Sequence, residues 1–325
     1  GYTEAMSLQG PISEVVLYLV ASTVLFIAIF VSNNLSKISK TFLFCVFFIF
    51  LFIAFKSGFV RHDAHAMIAA GALLLIALLF PLVAESKLAP ALFFIALLAW
   101  LSIDNHYVRT SLFSIWHNTL ATYTVAWRGL ELRLKNKSWP KSDFDTAVLS
   151  LKEQARLPDL HGTTDIYSND QSFLIASGNS WNPRPAFQSF FAYTPTLVEL
   201  NKQHLLSDRA PDNIIFRLET IDGRIPSAED GASWPVILEN YQPTLMDNKF
   251  LFFKKIYGAK NAEPTISGSG SHHFGDRVEV PNTDKLVFAE ISIRPSVLGK
   301  LANTLFKSAP LQINIQLENG AQRQY

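Results

Sequence analysis

Val15 to Ser32 reads VVLYLVASTVLFIAIFVS, and no charge occurs anywhere in 15–36. About 20 mostly apolar residues suffice for a helix to cross the hydrocarbon of a bilayer. Three further apolar windows follow. Residues 41–55 are rich in Phe, 66–84 carry Pro81 near their exit, and 88–103 hold Trp100 near their end as an interfacial anchor. The second window reaches full length when extended to Val60, with Lys56 snorkelling. The fourth does so from Lys87 to Tyr107. Four such windows joined by short loops predict a membrane α-helical bundle over 1–104.

Charge is distributed to match. The chain has 325 residues, 28 Lys+Arg, 27 Asp+Glu and a net charge of +1, with 49% hydrophobic and 17% charged residues. A soluble domain is roughly a quarter charged. The deficit is local: 1–103 hold only Glu4, Glu14, Lys37, Lys40, Lys56, Arg61, Asp63, Glu85 and Lys87. The near-zero balance excludes a dedicated nucleic-acid binder. Cys45 stands alone, which excludes a disulfide framework and a Cys-based zinc site. The first window lacks the basic lead of a cleavable signal. Among short-loop cations, Lys37, Lys40 and Lys87 outnumber Lys56 and Arg61. By the positive-inside rule the first and third loops are cytoplasmic, and everything after 104 lies outside. The expected localisation is therefore the bacterial inner membrane, multi-pass, with an extracytoplasmic C-terminal half. A start at Gly1 and a strand-like end at Tyr325 suggest a piece of a longer polytopic protein.

Residues 105–141 read as a junction. Val108, Leu112, Ile115, Leu120, Tyr123, Trp127, Leu130 and Leu134 recur near helical spacing, and NKSWPK closes the segment. Such a helix either lies along the membrane or props the soluble half. Residues 142–258 alternate helical and strand patterns and predict an exported α/β domain. Its elements include strands near 164–168 and 213–219, a helix over 194–206, a helix over 228–240 broken by Pro235, and a hairpin over 243–256. Residues 259–273 are a Gly/Ser-rich linker. In 274–325, LVFAEISIR (286–294) and LQINIQL (311–317) alternate with period 2, and Asn319-Gly320 marks a hairpin turn. They predict the start of a β-sandwich, a surface for a protein partner.

Candidate chemistry falls in three places. Phe55 to His65, FKSGFVRHDAH, puts Arg61, His62, Asp63 and His65 in a loop between two spans, where ionisable groups are costly. Asp63 suits a base or a metal ligand beside His62 or His65, and Arg61 suits a phosphate. A divalent ion would balance such phosphates, although no residue set demands one. Arg184, flanked by prolines and near Trp181 and Tyr193, suits a sugar- or phosphate-binding surface. Glu219, Asp222 and Arg224 follow a strand, where ligands of open α/β sheets sit. His106 and His117, three turns apart, read as packing residues. The chain has no GxGxxG, Walker A, GxSxG or HExxH motif.

Three segments carry a resemblance: 55–65, RPAFQSFFAYT at 184–194 and SDRAPDNIIFRLETIDGRIP at 207–226. The layout resembles polytopic bacterial inner-membrane envelope proteins with an exported α/β domain. It is also weakly similar to C-fold glycosyltransferases that use polyprenyl-phosphate sugars. That resemblance implies an acidic base in an extracytoplasmic loop, a role Asp63 would take, and a lipid-linked glycan as substrate. Two alternatives stand beside transfer or processing of such glycans: a non-enzymatic membrane-anchored binding or assembly module, and an exporter subunit.

Overall fold

The computed structural model describes residues 2–110, 112–167, 169–247, 249–258 and 265–325. The chain divides into two units, 1–135 with 294–311 and 136–293 with 312–325.

The first unit begins with α1 (Tyr2–Ala5) and continues through α2 (Ile12–Phe30), α3 (Lys37–Phe59), α4 (Ala66–Val83) and α5 (Ala89–Tyr107). These last four are long and apolar enough to cross a membrane, as the charge-free windows predict. The chain is thus a multi-pass membrane protein whose spans contact lipid. Small residues face inward: Ala21, Ala28, Ala69, Ala70 and Ala96 are buried. Small side chains let membrane helices pack closely. A Cβ at Gly58 would come within 2.8 Å of the Ala69 Cβ, so α3 and α4 approach at a point that only glycine fits. Phe42, Phe48, Ile49, Phe52 and Ile53 of α3 are exposed and form a lipid-facing surface. The buried Tyr18 hydroxyl donates to the Leu51 carbonyl at 2.8 Å.

The loops joining α2 to α3 and α4 to α5 meet. The Asn33 N–H donates to the Glu85 carbonyl at 3.1 Å, and the Glu85 N–H donates to Asn34 Oδ1 at 2.8 Å. At the other end, Leu8 forms a parallel bridge with Arg61. The returning segment carries a helix, Val297–Leu305. Lys56 Nζ donates to the Asn303 and Phe306 carbonyls at 2.9 and 2.6 Å, at the end of that helix where carbonyls lack helical partners.

The expected junction helix is divided. Helix α5 stops where the Asp104 carbonyl accepts the Val108 and Arg109 amides at 2.9 and 2.6 Å. Asp104 Oδ2 accepts the Thr110 N–H at 2.8 Å, and Arg109 turns to φ 56°. A new helix, α6 (Leu112–Lys135), then begins.

The second unit is a three-layer α/β fold. After α7 (Lys141–Ala155) come β1 (Thr163–Tyr167), α8 (Gln171–Ser177), β2 (Ser180–Trp181), α9 (Pro195–Leu206), β3 (Asn213–Phe216), α10 (Ser233–Asn240), β4 (Tyr241–Asp247) and β5 (Phe250–Lys255). The sheet order is β2-β1-β3-β5-β4. The β1–β2 and β1–β3 pairs are parallel, and β5 is antiparallel to both β3 and β4. One face packs Ile166, Ile215 and Phe252 with Ala155 and Leu174. The other packs Tyr167, Ile214 and Phe253 with Leu205, Val236 and Ile237. Thr194 caps α9 by accepting the Leu197 N–H, with Pro195 at its first turn. Residues 172–177 are helical, within α8. Pro243 sits on the edge strand β4 beside a register shift, where its missing N–H is tolerated.

The described residues do not support the expected β-sandwich. Among the described residues, 265–293 contain no strand. A separate hairpin pairs β6 (Asn314–Gln316) with β7 (Gln322–Gln324) around Asn319-Gly320. Gly320 supplies the φ of 82° that the turn requires. The period-2 alternation in 286–294 is present, but such a pattern becomes a strand only when its apolar side is buried. Here Leu286, Ile291 and Ile293 are exposed. The α/β sheet completes itself with β4 and β5 and offers these residues no layer.

Ile215 is fully buried between the sheet and α8, whereas Ile291 is exposed. Ile215→Ala is expected to cost about 2–5 kcal/mol in denaturant unfolding. Ile291→Ala is expected to stay within about 0.5 kcal/mol. Comparable losses at both positions would reinstate a packed strand at 286–294.

Candidate functional site

One end of the helix bundle gathers most of its ionisable groups. Glu14, in the first turn of α2, is 2% exposed. A carboxylate is favoured there by the unpaired N–H groups of the helix start. Its Oε2 lies 2.8 Å from His62 Nε2 and its Oε1 lies 3.0 Å from His106 Nδ1. One carboxylate thereby ties the start of α2, the α3–α4 loop and the end of α5. The Tyr107 hydroxyl donates to the His62 carbonyl at 3.2 Å, and the Phe59 ring meets the His62 ring edge-on. A Cβ on Gly10 would collide with the His62 ring, so the N-terminal segment passes the imidazole at a distance only glycine permits. Burial pulls the His62 imidazole below its usual range, aided by the Lys307 and His106 charges and opposed by Glu14. A neutral His62 donates its Nε2–H to Glu14.

Asp63 lies beside this group. Arg61 Nε approaches its Oδ2 at 2.8 Å, and its Oδ1 accepts the His65 backbone N–H at 2.9 Å and pairs with His65 Nδ1. Burial pushes the Asp63 carboxyl up, but the His65 hydrogen bonds and the Arg61 charge outweigh it and hold it below the usual carboxylate range. Leu8, Gly10, Pro11, His62, Asp63, His106 and Tyr107 border an open cleft of about 470 Å³. Lys307, brought back by the returning segment, donates to the Leu8 carbonyl at 2.6 Å and adds a cation there.

The loop nominated from the sequence therefore comes together as a cluster around Asp63. Glu14, Lys307 and the bonding role of His106 were not anticipated. Glu14 precedes His62 by 48 positions and His106 by 92, and only helix packing brings them together. The one available signal was an acid at the mouth of an otherwise charge-free span. Among the described residues no three His, Cys, Asp or Glu side chains are arranged to hold a metal ion.

The soluble unit places its candidates differently. Arg184 is 1% exposed. Its Nη1 donates to Asp165 Oδ2 and the Ile166 carbonyl, both at 2.8 Å, and its Nη2 donates to Ser189 Oγ at 2.9 Å. Asp230 Oδ2 stands 3.6 Å from Nε, and the Tyr167 ring lies 3.7 Å beneath the guanidinium. Trp181 Nε1 donates to the other Asp165 oxygen at 3.1 Å. Trp181 and Arg184 thus converge on a buried carboxylate. Glu219 borders a narrow crevice beyond the carboxyl ends of β1 and β3, with Tyr167, Phe216, Arg217 and Trp234. It pairs with Arg217 at 3.1 Å. Arg224 pairs with Asp222 at 3.3 Å in the adjoining turn, where Asp222 has a φ of 58°. Tyr193 is half-buried just before α9.

Removing one partner of a buried ion pair strands the other charge. Arg184→Ala is expected to cost about 3–5 kcal/mol in unfolding measurements, and Arg184→Lys to recover little, since one ammonium cannot span the same acceptors. Burial pushes the Asp230 carboxyl up to about 6, against the pull of Arg184. The folded state then holds this proton more tightly than the unfolded chain. The Asp230 contribution is fully present below about pH 4 and is lost as pH rises through about 6. Asp230→Asn is expected to flatten the unfolding midpoint across that window, and a profile identical to wild type would contradict the assignment.

No family model, curated protein or solved structure matches this chain. Its geometry is that of a four-span membrane protein with a mixed α/β unit.

Proposed function

We propose that this protein performs acid–base chemistry on a lipid-carried, phosphate-bearing substrate, in the class of lipid-linked glycans, at the bundle-end cleft. The carrying observation is the carboxylate–imidazole pair of Glu14 and His106 at the edge of that cleft. A buried carboxylate that accepts the Nδ1–H of a histidine orients the ring and leaves its Nε2 to take up a proton. His106 is accordingly assigned as general base and Glu14 as its positioning residue. Asp63, held ionised by Arg61 and His65, is a weak proton acceptor at neutral pH. It keeps Arg61 and His65 in place, while Arg61 and Lys307 supply cations for a phosphate. The weak resemblance to C-fold glycosyltransferases supports the glycan class.

The site is assigned to the extracytoplasmic side. The contact between the first and third loops gathers Lys37, Lys40 and Lys87 at the opposite end of the bundle. Cations collected in short loops favour the cytoplasmic face.

The test is complementation of cells lacking the protein, with lipid-linked glycan intermediates measured in membrane extracts. His106→Asn and Glu14→Gln are expected to lower turnover by about 10²–10⁴-fold at normal membrane abundance. Arg61→Ala should weaken substrate capture, with Arg61→Lys intermediate. A wild-type glycan profile in His106→Asn cells would sink the enzymatic reading. A second reading, a membrane-anchored assembly module, draws on the exposed apolar side chains of 278–293. It would take over if the point variants are silent while deletion of 136–293 dissolves a membrane complex.

A further inference from the structure

We infer that α6 is an interfacial helix whose apolar stripe is covered by the membrane itself. Trp116, Leu120, Tyr123, Trp127, Leu130 and Leu134 follow one another at spacings of four and three residues. At 100° per residue they fall within an arc of about 80° along the helix. All six are between 45% and 76% exposed, so among the described residues nothing buries them. A stripe this long needs an occupant.

Three observations identify lipid. The first is where the helix starts. Span α5 ends at Tyr107 and α6 begins at Leu112. Five Cα steps cover at most about 18 Å. The start of α6 is therefore confined near the membrane boundary. The second is the turn between them. The Asp104 carbonyl, the Asp104 carboxylate and the left-handed Arg109 stop α5, so α6 is a separate helix and not a continuation of the span. The third is composition. Two Trp and one Tyr occupy the stripe, the residues enriched where hydrocarbon meets headgroups. Arg128 lies on one flank of the stripe, beside the Lys135–Glu131 ion pair, and Arg133 lies on the other; long basic side chains so placed reach phosphates while their stems lie on apolar surface. Asn118, Thr122 and Gly129 fall on the opposite side, together with Val125.

The 4,3 spacing is also that of a coiled-coil seam, so a second copy of the chain is the competing occupant. Such seams favour Leu, Ile and Val at their contact positions rather than three large aromatics. The observations favour an anionic bilayer surface.

The test uses the full chain in nanodiscs of phosphatidylcholine and phosphatidylglycerol, on a Cys45→Ala background. Single cysteines at Leu120, Tyr123, Trp127 and Leu130, and at Asn118, Thr122, Val125 and Gly129, are spin-labelled. Collision rates with oxygen and with a water-soluble nickel chelate are then measured. Stripe positions should favour oxygen and back positions nickel, with the ratio oscillating severalfold at helical period. Uniform access to nickel would overturn the inference. Protection of the stripe from both reagents would also overturn it and assign the stripe to a protein partner or a second copy. Unlabelled protein offers an independent check. Brominated lipids should quench wild-type tryptophan fluorescence more than that of Trp116→Phe/Trp127→Phe, and equal quenched fractions would overturn the inference.

Discussion

A carboxylate taken out of water at the start of an apolar helix must find hydrogen-bond donors, and Glu14 finds two imidazoles. That requirement organises the end of the bundle. Because Glu14 belongs to α2, His62 to the α3–α4 loop and His106 to α5, meeting it fixes three chain segments at once. The Tyr107 bond to the His62 carbonyl and the close pass of Gly10 hold the imidazole from two further directions. The unmet cost of a buried lone charge would be several kcal/mol. The cluster is therefore as much a structural joint as a chemical site.

The soluble unit meets the same constraint with the opposite sign. Here the buried charge is a cation, and Asp165, Asp230, Ser189, the Ile166 carbonyl and the Tyr167 ring surround it. Asp165 stands on β1, Arg184 and Ser189 in the segment after β2, and Asp230 just ahead of α10. The irregular stretch between β2 and α9 is thus held to the sheet by polar bonds. An arginine confined by Pro183 and Pro185 is preorganised for that role.

The spans were legible because hydrocarbon imposes a length and a composition that no nearby residue can offset. The α/β elements were legible for a related reason: Pro195, Thr194 and the run Asn213–Phe216 carry their signals locally. The Arg61–His65 loop was visible because charge is scarce around it. Glu14 was not singled out, since one acid at a helix start reads as a cap until its partners are known. His106 read as packing for the same reason. Arg184 was recognised as unusual, but whether an arginine among aromatics faces water or the core depends on contacts with Asp165 and Asp230, far apart in the chain. At 286–294, the period-2 pattern described a strand's side chains without revealing that no layer would cover them.

The Tyr18 hydroxyl illustrates how few polar groups a bundle of this kind needs in order to be specific. A hydrogen bond adds a directional constraint to the packing of apolar helices. The hydroxyl cannot give up that bond freely, because hydrocarbon offers it no substitute for the Leu51 carbonyl. The Tyr18 side chain thereby acts as an index mark between α2 and α3, adding to the axial alignment that packing specifies.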